Sequence, residues 1–359
     1  KQKNKKKKGM ENKKIIAWWS GGITSAVACK LAIDLFGSKN QVRVIMIDTY
    51  NEDEDTYRFL ADCERWYGQE IEIITEVGKD YQNIQDVWTK HKSLNVATGA
   101  ICSTQLKRRV REKWQEQNEY DYQVFGFEFD KKEQNRALGL NKNHPKAKGI
   151  YPLLMMAYDK DDCLKIVQDD GIEIPRMYQL GFRNNNCFKT GCVQGGIGYW
   201  QKMQRDFPEK FEEMADMEHK LTAMRGEPVT MLKDQSNEAK KTVEETGIKW
   251  KQFIFLKKHP EYPELKCLAD MKPQEVKPLF ECNGFCGISQ NHNWGGKKMK
   301  TFKTLLTAIS VALAIYLGVI FTIDPEAVSI FEVLFILVSA IILLVVGVVI
   351  DVFDKKKED

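Results

Sequence analysis

The chain has 359 residues, 43% apolar and 29% charged, which is enough apolar material for a sizeable core and excludes wholesale disorder. Its net charge of +4 is unevenly spread: residues 1–10 carry six Lys and no acid, residues 299–359 a net of −2, and residues 11–298 are neutral. A neutral middle excludes the bulk basic footprint of a DNA-coating protein, while leaving room for a local basic groove.

The opening KQKNKKKK is low-complexity and self-repelling, so residues 1–10 are expected to form a disordered basic tail. Met10 reads as a natural start, with KKKKGM encoded by a purine-rich leader. No apolar stretch of the secretory type follows the lysines. Nine Cys in such a chain point to a reducing, cytoplasmic setting in which thiols serve metals or chemistry rather than bridges.

Residues 14–30, KIIAWWSGGITSAVACK, place a buried strand (Ile15–Trp19) directly before Ser20-Gly21-Gly22. A helix follows, with apolar residues at Ile23, Val27, Leu31 and Leu35. Such a turn aims backbone N–H groups, the positive helix end and the hydroxyls of Ser20, Thr24 and Ser25 at one spot, where a phosphate belongs. It is not a Walker A loop, because no GxxxxGK[ST] occurs.

Gln41–Asp48 predicts a second strand ending at Asp48-Thr49, Asp55–Tyr67 a helix, Glu70–Thr75 a third strand and Tyr122–Phe129 a fourth. Alternating strands and helices imply an α/β fold, a doubly wound parallel sheet of Rossmann-like type, with ligands at the strand C-terminal ends. In LKRRVREK, Lys107 is either a phosphate contact or part of a solvated helix face.

Cys187 and Cys192 lie in the Gly- and Asn-rich NNNCFKTGCVQGG, and Cys282 and Cys286 in ECNGFCGI. Two close Cys pairs are expected to converge on one Zn²⁺ or iron–sulfur centre within a helical, Cys-rich region, 181–298. Cys29, Cys63 and Cys163 fall on apolar helical faces and read as packing. The five His form no HxxxH or HExxH pair, which argues against a His-based metal hydrolase. Tyr199–Lys220 and Lys240–His259 predict amphipathic helices, with Trp200, Phe207 and Phe211 as a core stripe.

Leu305–Ile323 and Val333–Ile350 are uncharged runs of 19 and 18 residues, each about the length that crosses a bilayer. With lysines outside both, they predict an appended two-helix transmembrane hairpin over 299–359, its ends facing the cytoplasm and anchoring the chain. The stretch WGGKKMKTFKTLL equally fits a ribosome-binding stretch before a start at Met299, which would make the hairpin a separate read-through product.

Five segments in order carry a family resemblance: SGGITS, IDTYNEDEDTYRFL, ICSTQLKRRV, GFEFDKKEQNRA and IYPLLMMAYDK through NNNCFKTGC. SGGITS resembles the SGGxDS loop of the PP-loop ATP pyrophosphatases, the adenine nucleotide alpha-hydrolase-like superfamily. The series resembles its phosphoadenosine phosphosulfate (PAPS) reductase branch. Thr24 stands where the loop usually has Asp, and Glu128 where an Arg is common.

The resemblance implies a PP-loop nucleotide-binding domain over 11–180 of the adenine nucleotide alpha-hydrolase type. Ser20, Gly21, Gly22, Thr24, Ser25, Asp48, Thr49, Gly126 and Arg136 would bind ATP (or PAPS or its relative APS) with Mg²⁺. Lys107 would neutralise charge during catalysis. It also implies a [4Fe-4S] cluster or Zn²⁺ on Cys187, Cys192, Cys282 and Cys286, with Cys102 near the place of a family ligand. Glu281-Cys282-Asn283-Gly284 partly resembles the reductases' nucleophile element, so Cys282 is catalytic or a ligand.

Three functions follow as expectations. The first is ATP-dependent adenylation, releasing pyrophosphate and followed by sulfur or nucleophile transfer to tRNA, DNA or a small molecule. The second is a sulfonucleotide reductase served by a thiol-redox or sulfur-donor protein. The third is a non-catalytic nucleotide- or redox-responsive module.

Overall fold

Strand β1 (Lys14–Trp19) is buried at five of its six positions, the mark of a central parallel strand with helices on both faces. Its residues alternate between two cores: Ile15, Ala17 and Trp19 pack on one side of the sheet, Ile16 and Trp18 on the other. The computed structural model describes residues 10–96 and 99–279. These fall in one compact unit, Lys1–Gln290; the second unit, Asn291–Asp359, lies outside the described residues.

From β1 the chain runs through α1 (Ile23–Phe36), β2 (Gln41–Ile47), α2 (Asp55–Tyr67), β3 (Ile71–Ile74) and α3 (Ile84–His91). A small hairpin, β4 (Asn95–Val96) and β5 (Gly99–Ala100), leads into α4 (Ile101–Ser103), a π-helical turn (Thr104–Arg108) and α5 (Arg109–Gln117). Then come β6 (Tyr122–Val124), α6 (Lys131–Asn143), β7 (Gly149–Ile150), α7 (Pro152–Met156), α8 (Lys160–Asp169) and α9 (Arg176–Gln179). The C-terminal part holds α10 (Ile197–Asp206), α11 (Pro208–Arg225), β8 (Leu232–Lys233), α12 (Asn237–Thr246), β9 (Phe253–Phe255) and β10 (Lys266–Cys267).

The main sheet has the order β3-β2-β1-β6-β7, all parallel, with Ile15 opposite Val42 on one side and Tyr122 on the other. The chain winds outward from β1 to β3 and then crosses to β6. The direction therefore reverses between β1 and β6, the point outside the strand C-terminal ends where doubly wound sheets bind their ligands.

Three expectations need correction. No helix among the described residues is long and apolar enough to cross a membrane, so the appended transmembrane hairpin is withdrawn from the fold class; residues 305–323 and 333–350 lie outside the described residues. The helix expected over Lys240–His259 ends at Thr246, because Gly247 takes up a left-handed φ of +69° and the β-prone Phe-Ile-Phe run forms β9. The fourth strand stops at Val124 rather than Phe129, for a reason that lies in the site itself.

In the C-terminal part, Glu218 on α11 is fully buried, its two carboxyl oxygens accepting the N–H groups of Met231 and Leu256, each at 2.7 Å. Burial pushes this carboxyl up to about 8, against the weaker opposing pull of the two N–H donors. A group raised in the folded state stabilises fully below its unfolded pKa and loses that contribution as pH climbs through the folded value. Unfolding free energy is therefore expected to fall between about pH 5 and about pH 8 more steeply in the wild type than in Glu218→Gln. At the acid end, Glu218→Gln costs about 1–3 kcal/mol by urea denaturation, since its amide nitrogen must face an N–H donor.

Candidate nucleotide-binding site

The turn after β1 is braced from within. Ser25 Oγ donates to the Gly22 carbonyl at 2.8 Å, accepts from the Ser20 N–H at 3.0 Å, and lies 3.0 Å from Ser20 Oγ. Gly21 has φ +84°, and a Cβ there would come within 2.9 Å of Thr56. The N-cap residue of α1, Gly22, has no side chain to cap the helix; the N–H of Ile23 donates to the Tyr178 hydroxyl at 3.1 Å. Beside it Thr24 is fully buried, and its hydroxyl has no hydrogen-bond partner among the described residues. A helix start with a glycine N-cap next to such a hydroxyl is a site with donors to spare.

Gly126 closes this turn from the far side. A Cβ at Gly126 would stand 2.6 Å from Ser25 Cα and 2.7 Å from Ser25 N, so the chain after β6 passes against bare helix backbone. This passage ends β6 early, and makes Gly126 a residue of close approach. Asn185, from the loop preceding the Cys187–Cys192 segment, donates to the Gly21 carbonyl at 2.8 Å and the Thr56 hydroxyl at 3.0 Å. The neighbouring Asn184 and Asn186 are buried too. Sequence reasoning passed over Asn185; three consecutive Asn were the available signal.

At the end of β2, Asp48 is buried and accepts from the Tyr50 N–H at 2.7 Å and from the Tyr57 hydroxyl at 2.9 and 3.1 Å. Burial first, then the Asp48 carboxylate, raises the Tyr57 phenol far above its ordinary range. Thr49 donates to Glu52 Oε1 at 3.3 Å, and Lys107 Nζ reaches the same oxygen at 3.2 Å. Lys107 is thus buried on the π-helical turn rather than lying on a solvated helix face. Glu52, also missed from sequence, joins two expected site residues. The third acid here, Asp53, holds the guanidinium of Arg176 at 2.7 and 2.9 Å. Arg136 lies 4.7 Å from the ring of Phe127, the residue after Gly126, with Nη1 3.2 Å from both Glu133 oxygens.

Cys192 is buried and Cys187 half-buried, and both pack into the core that also contains Cys102. The Asn51 carbonyl accepts from Phe188 and Lys189 N–H groups at 3.0 and 3.2 Å, and its amide donates to Thr190 at 2.8 Å. Those bonds fasten the cysteine loop to the β2 end of the site. Among the described residues no group of three or more His, Cys, Asp or Glu is placed to hold a metal; Cys282 and Cys286 lie outside the described residues. Cys29, Cys63 and Cys163 are fully buried, and burial raises all three thiols, that of Cys63 to about 12, which makes them inert packing.

The Gly126 contact generates a stability test. Gly126→Ala drives a methyl into backbone that cannot swing aside, so urea denaturation should show a loss of about 1–3 kcal/mol. Wild-type stability in this variant would mean that the chain does not pass so close to α1.

The family model of the phosphoadenosine phosphosulfate reductase domain matches residues 14–193. An uncharacterised protein of Methanocaldococcus jannaschii is 27% identical over 207 residues, 56% of this chain and 40% of that protein, so the chain spans less than half of this relative's length. Among solved structures, PAPS reductase from Candida auris in a phosphate complex aligns with a TM-score of 0.36 and 14% identity, over 49% of this chain and 81% of the other. The U34-tRNA thiolase of Methanococcus maripaludis with its [4Fe-4S] cluster aligns with a TM-score of 0.36 and 15% identity, over 59% of this chain and 73% of the other. The family match covers half of the chain and takes in the β1–α1 turn, Gly126 and the Cys187–Cys192 pair; the protein belongs to the phosphoadenosine phosphosulfate reductase domain family.

Proposed function

We propose that the Ser20–Ser25 turn binds the phosphates of an adenine nucleotide, and that the protein uses ATP to adenylate an acceptor. The acceptor oxygen attacks the α-phosphorus, the bond to the β-phosphate oxygen breaks, and pyrophosphate leaves. A sulfur or other nucleophile then displaces AMP. The observation that carries this reading is the buried Thr24 hydroxyl, without a partner among the described residues, at a start of α1 whose N-cap is a glycine. A phosphate oxygen there would accept from Thr24 and from first-turn N–H groups together, and the helix dipole would favour its charge.

In this reading the protein's part is mostly positioning. Ser25 and Asn185 hold the turn in shape, Gly126 keeps side chains out of it, and Lys107 neutralises developing negative charge from its place beside Glu52. Asp48, Glu52 and Asp53 already accept protein donors, so Mg²⁺ would enter on the nucleotide's phosphates. Cys187 and Cys192, with Cys282 and Cys286, would hold the Zn²⁺ or iron–sulfur centre.

Thr24→Val keeps the shape and removes the hydroxyl. Equilibrium dialysis with ATP should show affinity falling about tenfold or more, as for a hydrogen bond to a charged group, with unliganded stability undiminished. Unchanged ATP affinity would refute the assignment of the turn. Exchange of labelled pyrophosphate into ATP in the presence of acceptor tests the reaction; sulfite release from PAPS by thiols without such exchange would replace it with sulfonucleotide reduction. Anaerobically purified protein should carry iron or zinc, and Cys187→Ser should lower metal content and thermal stability together. Full stability in metal-free protein would reject the centre.

A further inference from the structure

A cleft of about 960 Å³ opens in a different part of the fold, lined by residues at and after the end of α3 (His91, Lys92), Arg225 at the end of α11 and residues 227–230 beyond it, Lys233 on β8, and residues 247–250 with Phe253. None of these residues takes part in the nucleotide site. Its described walls present four permanent cations, Lys92, Arg225, Lys233 and Lys249, against the single carboxylate of Glu227, which sits 3.8 Å from Arg225. All four cations are exposed, and Lys92 and Lys249 form no ion pair among the described residues. Arg225 offsets the negative end of α11, which explains its place without a ligand. Lys233 projects from a strand and has no such duty.

Aromatic rings share these walls. Lys233 Nζ stands 5.4 Å from the Phe253 ring centre, and Trp250, half-buried, is held by Tyr262 with ring centres 5.7 Å apart at 70°. Cations gathered around a concavity repel one another unless a counter-charge enters. A ligand with several spaced charges and flat apolar faces matches both features. An acidic peptide supplies the charges without the flat faces, and a duplex keeps its base faces stacked away. Single-stranded nucleic acid offers both. Asn95, also in the wall, donates to the carbonyl of Val193 at 3.2 Å, so the cleft is bonded to the residue after Cys192.

We propose that this cleft binds single-stranded nucleic acid, phosphates on Lys92, Lys233 and Lys249 and bases against Trp250 and Phe253. The proposal stands apart from the nucleotide reading, because binding is measured with no ATP present. The full chain is titrated into a fluorescein-labelled twelve-nucleotide oligo(dT) by anisotropy, and cross-linked to it by ultraviolet light for peptide mapping. Expected are cross-links in the peptide carrying residues 250–253, and an affinity that drops roughly 20–50-fold or more between 50 and 200 mM salt, the response of three or four phosphate contacts.

The double variant Lys233→Glu/Lys249→Glu should weaken binding at least tenfold. The control Lys131→Glu/Lys132→Glu, an equal charge change on α6, should leave it within twofold. Because residues 1–10 carry six Lys, cross-links confined to that tail would overturn the proposal. Equal losses in both double variants, or competition by an oligoglutamate of the same charge as effective as by unlabelled oligo(dT), would overturn it as well.

Discussion

The close passage of the chain at Gly126 against the first turn of α1 is the contact on which the rest of the arrangement depends. Backbone lies on backbone there, at a separation that leaves no room for a single methyl group. It lies just beyond the end of β6, where the winding direction of the sheet reverses beside β1. The N-cap itself, Gly22, has no side chain to accept from the first turn of α1, and the acceptor found there, the Tyr178 hydroxyl, serves the N–H of Ile23.

Two carboxamides then connect this turn to the rest of the domain. Asn185 bridges Gly21 to Thr56 on α2, and Asn51 holds the segment that carries Cys187 and Cys192. A neutral amide donates to two acceptors at once without the desolvation cost of a charge, as Asn185 does from Nδ2 to the Gly21 carbonyl and the Thr56 hydroxyl. The acids nearby are treated differently: Glu52 and Asp53 each take a cation, Lys107 and Arg176, and Asp48 takes a phenol and a backbone N–H. The Ser20–Ser25 turn and the cysteine loop thus share one hydrogen-bonded frame.

Much of this was legible in the sequence because local rules and the global fold agree there. The strand-Gly-Gly-helix turn and the helix Asp55–Tyr67 follow from periodicity and glycine placement alone. The residues that escaped sequence reasoning are those whose roles exist only across the fold. Nothing local marks Glu52 as the partner of a lysine 55 positions away, nor Asn185 as a brace for a turn 164 positions earlier. Lys107 illustrates the limit in another way: a charged run reads as solvated, yet the π-helical turn rotates this one lysine inward. Helical periodicity over Lys240–His259 was real only as far as Gly247, beyond which strand pairing with β8 prevailed over local pattern.

The bond from the Ile23 N–H to the Tyr178 hydroxyl spans 155 positions, and the Asn185 bridge to Gly21 spans 164. Every strand of the main sheet is complete by Ile150. The turn is therefore held in shape from beyond the sheet that carries it, and a fragment ending after β7 would hold every strand of the main sheet yet lack both Tyr178 and Asn185.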